Sequence, residues 1–240
     1  MKLTSSDFRS KARDALKGNW FIAVITGLVA SVLGGLNSGG GGISFNNFNT
    51  EDSATLEQLL NELQIPQEVL GYILAAFAAL LTVSAVYSFI MFIIGSVVSI
   101  GYARFNIDLV EGQTPSISVL FSNFGRWTTA IWANLLISIR TFLWSLLFVI
   151  PGIIAAYSYA VTTYVLADNP DMTAKEAIDE SKRLMDGNRW RLFCLEISFI
   201  GWDLVSLFTL GIASLWVTPY REAARASFYQ EIKSEANPYA

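Results

Sequence analysis

The sequence predicts an all-α, polytopic membrane helix bundle of about six transmembrane helices with short amphipathic surface helices, and three observations carry that prediction. Of 240 residues, 53% are hydrophobic and only 15% are charged, against roughly 25% charge in an ordinary soluble domain. The deficit lies in blocks. Uncharged runs from Asn19 to Thr50 and from Val69 to Ala103 exceed the roughly 20 residues that cross a bilayer. The basic residues gather between such blocks, at Lys2, Arg9, Lys11, Arg13 and Lys17 and again at Lys175, Lys182, Arg183, Arg189 and Arg191, as cytoplasmic flanks do. With no histidine and the single cysteine Cys194, the chain cannot build a Ser-His-Asp triad, a histidine-ligated metal or haem, or an intrachain disulfide.

Residues 1–19 read as a cytoplasmic amphipathic segment without the order of a secretory signal. Over Ser6 to Lys17, Phe8, Ala12, Ala15 and Leu16 share one side while Arg9, Arg13 and Lys17 form an i, i+4, i+8 row. Such a helix lies on the inner leaflet, or it only orients the span that follows. One transmembrane domain then covers residues 20–232. Its first span, Trp20 to Leu36, carries Ala23, Gly27, Ser31 and Gly35 at four-residue spacing, a ridge that serves packing within the chain or a homo-oligomer. The loop 37–67 has acids but no Lys or Arg and is exterior. It holds a glycine linker at Gly39 to Gly42 and a short surface helix marked by Leu56, Leu59, Leu60 and Leu63.

The run from Val69 to Ala103 is a two-span hairpin or one long tilted helix, since it amounts to about 52 Å of helix against a bilayer core of roughly 30 Å. Keeping both basic clusters inside requires an even number of crossings between them, which selects the single helix. Its ridge is Gly95, Ser99 and Ala103. After a cytoplasmic loop at 104–127, spans three (Thr128 to Val149) and four (Pro151 to Ala167) form a hairpin with a tight outer turn at Pro151-Gly152. In the cytoplasmic loop 168–192, Pro170 stops the fourth span, and Thr173 with Glu176 makes a capping box for a helix ended by Gly187. A capped start explains Asp168-Asn169-Pro170-Asp171 without a bound cation. That helix has an apolar face of Ala177, Ile178, Ser181, Leu184 and Met185. Its charged residues Lys175, Lys182, Arg183 and Asp186 either mark an elbow or dock a protein partner at the cytoplasmic face. Trp20, Trp127 and Trp190 mark the inner boundary.

The last apolar block, Phe193 to Thr218, is either one span that leaves the tail outside or a hairpin that turns at Thr209-Leu210-Gly211 and returns as a sixth helix through Tyr229, with residues 233–240 as a cytoplasmic tail. Arg221, Arg225 and Lys233 favour that inside end. Around Gly211, Glu196 lies fifteen positions before and Arg225 fourteen after, and Asp203 lies eight before and Arg221 ten after. Unpaired charges inside a membrane are costly. The two acids and two arginines therefore form an intramembrane charge cluster with Arg140, which competes for Asp203, and the cluster serves structure or transport.

Several stretches are shared with a known group: Ile150-Pro151-Gly152-Ile153-Ile154, Leu166 to Pro170, Ser181 to Gly187, Leu195 to Trp202, Thr209 to Ile212 and Pro219-Tyr220, with Lys11-Ala12-Arg13 and Leu16 to Trp20 at the N-terminus. On these residues the chain resembles the bacterial membrane family catalogued as Domain of Unknown Function 975. The resemblance implies an integral membrane protein, mainly of Gram-positive-type bacteria, with no established activity. The expectation is a multi-pass protein of the bacterial plasma membrane, N-terminus cytoplasmic. It is non-catalytic, without cofactor, metal or nucleic acid, and contributes to membrane or envelope homeostasis by contacts with membrane lipids or a protein. The alternative is a small permease or the membrane subunit of a transporter that uses the charge cluster. An intramembrane aspartyl protease is disfavoured because Asp203 has no facing equal, and Cys194 lacks a base.

Overall fold

A computed structural model describes residues 3–34 and 67–237, and every regular element among them is helical. The glycine linker and the Leu56–Leu63 surface helix expected in the exterior loop lie outside the described residues, as does Gly35. Helix α1 (Ser5–Leu16) opens with a capping box between Thr4 and Asp7. It meets α2 (Trp20–Val32) at a bend of 104°, where Gly18 takes the left-handed φ of 82° that other residues resist.

The apolar face of α1 is spent inside the protein. Phe8, Ala12 and Leu16 are buried, and Phe8 meets Phe228 edge-on with ring centroids 5.4 Å apart. This changes the expectation of a helix lying in the inner leaflet, because only the basic row remains for the membrane surface.

Helix α3 (Gln67–Val110) is one unbroken helix of 44 residues, about 66 Å long, in agreement with the single-helix reading of Val69 to Ala103. Residues 71–90 are exposed on every side, whereas 95–103 are buried. A glycine from each small-residue ridge lets α2 and α3 approach closely, though not ridge to ridge. A Cβ on Gly95 would sit 2.6 Å from the Gly34 carbonyl oxygen, and one on Gly27 would sit 3.0 Å from the Tyr102 hydroxyl. Ser31, the remaining described member of the first ridge, faces outward.

Two short 3-10 turns, Ile117–Phe121 and Phe124–Arg126, lead into α4 (Trp127–Leu147). The first crosses α3 so closely that a Cβ on Gly101 would collide with the Leu120 carbonyl. Helices α4 and α5 (Val149–Tyr159) form the expected hairpin. The chain reverses at Phe148, which is extended, so Pro151-Gly152 sits in the first turn of α5 instead of making the turn itself. Helix α6 (Thr162–Asp168) continues α5. Then come α7 (Ala174–Met185), α8 (Arg189–Ile197), α9 (Ile200–Phe208) and α10 (Ser214–Ala236).

Among the described residues, three stretches are long and apolar enough to cross a membrane: Gly71–Val110, Ile117–Leu146 and Ile150–Asp168. The bent pair Ser5–Leu16 with Trp20–Val32 makes a fourth if counted as one span. Neither helix of the expected fifth and sixth spans is among these candidates. Helices α8 and α9 have nine residues each, about 13 Å apiece, and are interrupted at Ser198-Phe199. Val217 and most of α10 beyond it are packed in the core, leaving an apolar tip around Leu207, Phe208, Leu210 and Ile212 exposed.

The core joins α1, α10, the C-terminal part of α3, α6 and α7. At its polar end, Lys11 pairs with Glu231 at 3.6 Å, and Gln230 donates to Glu111 at 2.8 Å. There too Arg126 donates to the Met172 carbonyl at 3.0 Å, and Arg191 pairs with Glu235 at 2.9 Å. The N-terminal segment, both cytoplasmic-type loops and the end of α10 thus form one charged pole.

Candidate functional site

The α9–α10 turn uses Leu210 and Gly211, with φ of 52° and 87°, to return the chain antiparallel. Glycine takes this left-handed region freely. The reversal brings together four of the five predicted cluster residues. Arg225 Nη2 lies 2.5 Å from Glu196 Oε1, and Arg221 forms an ion pair with Asp203 while its guanidinium sits over the Phe199 ring at 5.6 Å. Arg140 does not join them. It stands on α4, which packs on α3, α5 and α7. Among the described residues it makes no ion pair, and its Nη1 is buried without a hydrogen-bond partner.

The cluster extends through residues that the sequence reading missed. Tyr157 donates its hydroxyl to Glu196 Oε2 at 2.6 Å. On its other side Arg225 reaches Glu222 Oε1 at 3.2 Å, and Glu222 Oε2 accepts from the Tyr164 hydroxyl at 2.8 Å. Tyr164 stacks on Tyr229 with centroids 5.8 Å apart. Tyr229 donates to Asp168 at 2.9 Å, which also holds Lys233 at 2.5 Å and Arg104 at 3.6 Å. Arg104 in turn pairs with Asp108 at 2.7 Å.

Acids, cations and phenols therefore alternate from the α8 hairpin to the foot of α3. Each of these carboxylates meets an opposite charge, which offsets the cost of its partial burial. Asp168, the first residue of the acidic motif considered for a cation, is occupied by protein groups. One signal pointed to Glu222: it lies three residues before Arg225, one turn along the same helix. The tyrosines carried no comparable signal.

The charged helix α7 begins as expected. Thr173 accepts from the Glu176 amide at 3.4 Å, and Glu176 accepts from the Thr173 amide at 2.8 Å. The Thr173 amide, and after it the Thr173 hydroxyl that donates to the same carboxylate at 2.8 Å, hold the Glu176 carboxyl below its ordinary value. Ala174, Ala177, Ile178, Ser181, Leu184 and Met185 are buried. Of the four residues assigned to a docking face, Lys175, Lys182 and Arg183 point outward with Asp186. Arg183 is held by Glu180 through two bonds of 2.7 and 2.8 Å, Asp186 lies 3.7 Å from Arg189, and Lys182 sits over the Tyr159 ring at 5.6 Å.

Cys194 is half-buried and free. No curated protein and no solved structure matches the chain. Residues 146–236, which run from the end of α4 to the end of α10 and contain Glu196, Asp203, Arg221 and Arg225 but not Arg140, match a family described as "Protein of unknown function (DUF975)", the family its motifs resemble.

Proposed function

We propose that this is a multi-pass, non-catalytic protein of the bacterial plasma membrane, with its charged pole cytoplasmic, that acts in membrane or envelope homeostasis by binding lipid or a protein partner at that pole. One observation carries the reading: the acids and cations of the network from Glu196 to Asp108 are engaged with one another and, with Tyr157 and Tyr164, join α3, α5, α6, α8 and α10. Groups arranged this way brace helices. The basic excess at the pole supports the orientation.

The test is a variant that removes the central charges together, Glu196→Leu, Glu222→Leu and Arg225→Leu, in a strain whose envelope defect depends on the protein. A folded triple variant that restores the phenotype supports bracing. A folded triple variant that fails, with substrate uptake into proteoliposomes abolished by Glu196→Gln, replaces this reading with transport. The contiguous Tyr157–Glu196–Arg225–Glu222–Tyr164 chain is the observation that favours that second reading.

A further inference from the structure

We propose that the elbow between α1 and α2 is a binding site for the phosphate headgroup of an anionic membrane lipid, with Arg9 and Arg13 as its cationic contacts. The proposal rests on the lipid-binding reading above and gives it an address. Four cations stand on α1 or at its end, and they divide into two kinds. Lys11 is paired with Glu231 and Lys17 with Asp14, whereas Arg9 and Arg13 make no ion pair among the described residues. Arg9 is the more informative of the two. Its Nε is buried without a hydrogen-bond partner, and its Nη1 has only a long 3.4 Å bond to the Ser198 carbonyl. The residue as a whole is only partly buried, so its remaining guanidinium donors are open to an incoming acceptor.

Arg9 and Arg13 are one helical turn apart, so both can reach one phosphate. Tyr220 lies within the field of both charges and anchors the spot by donating its hydroxyl to the Arg9 carbonyl at 3.3 Å. Around it stand Trp20, with ring centroids 6.4 Å apart, and Phe199 at 5.1 Å. Phe199 and Tyr220 are buried, whereas Trp20 is only partly buried, as suits an indole at headgroup level. An apolar surface begins one residue beyond Trp20. Phe21, Leu28 and Val32 are 79%, 45% and 67% exposed, and their spacing of seven and four places them on one stripe of α2. An arginine pair on the helix that leads into such a stripe fits an amphiphile: a phosphodiester at the arginines and acyl chain along α2. A soluble phosphopeptide would leave the stripe uncovered.

The experiment is native mass spectrometry of the full chain, released in mild detergent with equal phosphatidylglycerol and phosphatidylcholine. Wild type, R9Q/R13Q and the equal-charge control K11Q/K17Q, which changes the two ion-paired cations of the same helix, are compared, with R13Q alone and R9K/R13K as variants that keep the fold, checked by circular dichroism. The expected result is selective phosphatidylglycerol retention by wild type and by the control. R9Q/R13Q should fall at least tenfold, R13Q should fall between, and R9K/R13K should be partly rescued. Equal losses in the control pair would overturn the site in favour of diffuse charge attraction while leaving lipid binding intact. Displacement by millimolar inorganic phosphate would overturn the lipid as ligand. Retention of no lipid by wild type would overturn both the site and the lipid reading beneath it.

Discussion

Replacing Arg225 with leucine removes the cation shared by two acids, so its cost can be worked from the geometry. The guanidinium lies 2.5 Å from Glu196 and 3.2 Å from Glu222, and hydrogen bonds to charged groups contribute about 1.5–3 kcal/mol each. Breaking a buried pair from one side costs about 3–5 kcal/mol because the remaining charge is stranded. Here the three side chains keep 21%, 27% and 16% of their surface, so water or headgroups relieve part of the penalty, and a loss of about 3 kcal/mol is expected.

Adding Glu196→Leu removes one stranded carboxylate but also deprives the Tyr157 hydroxyl of its acceptor, so it should return about 1 kcal/mol. Adding Glu222→Leu as well should return about 1–2 kcal/mol more. Reversible unfolding of the single, double and triple variants in mixed micelles measures these steps, and the double-mutant cycle isolates the coupling. Additive losses, with each substitution making the protein less stable than the last, would refute the shared-cation account.

Gly101→Ala should destabilise by about 3 kcal/mol or more, because its Cβ meets the Leu120 carbonyl, a backbone group that cannot rotate away; a melt within a degree of wild type would contradict this. Thr173→Ala should cost about 1 kcal/mol through the lost cap of α7, read by hydrogen exchange of the first-turn amides. The Glu176 half of that cap has a pH signature. Its carboxyl is depressed in the folded chain, so the contribution is fully present above about pH 4.5 and disappears as the pH falls through the lower folded value. Amide protection in α7 should therefore be flat down to that pH and drop below it, and Glu176→Gln should flatten the profile. Tyr229→Phe should lower stability by about 1 kcal/mol by removing the donor to Asp168 at 2.9 Å, while leaving the Lys233 pair in place.

What the sequence disclosed and what it hid divide along physical lines. The single long helix α3 was legible because an even crossing count constrains a whole chain, and the α7 cap was legible because four adjacent residues suffice for it. The Glu196–Arg225 and Asp203–Arg221 contacts were legible because an antiparallel hairpin converts distance from its turn into depth. Tyr157, Tyr164 and Tyr229 were not, since a phenol in an apolar run has the same pattern whether its hydroxyl is bonded or bathed in lipid headgroups. The split between α8 and α9 was hidden as well. Ser198 and Phe199 keep right-handed backbone angles, and neither glycine nor proline marks the break. Hydropathy over residues 193–218 registers apolar surface without registering helix continuity, so it gave no sign that the first arm of the apolar-tipped hairpin is built from two nine-residue helices. The face of α1 carries a periodicity that suits lipid and Phe228 equally.

Topology can be argued from contact more firmly than from charge bias. A bilayer cannot pass between side chains that touch. Lys11 touches Glu231, Gln230 touches Glu111, Arg126 touches the Met172 carbonyl and Arg191 touches Glu235. The segments bearing these residues must therefore share one side, whatever the number of crossings between them. The count is even from α1 to the loop after α3, even from there across the α4–α5 hairpin, and even again, zero or two, across the α8–α10 hairpin. Charge bias is needed only to choose that side, and the inside is the orientation proposed above from the lysines and arginines. In a chain whose single cysteine is replaced by serine, cysteines placed one at a time at Arg13, Ser118, Lys175 and Ser234 should all resist a membrane-impermeant maleimide in intact cells. All four should react once the membrane is opened. One site labelling from outside while the others stay protected would mean that the charged pole is not a single body, and the network reaching from Glu196 to Asp108 would lose the frame that holds it.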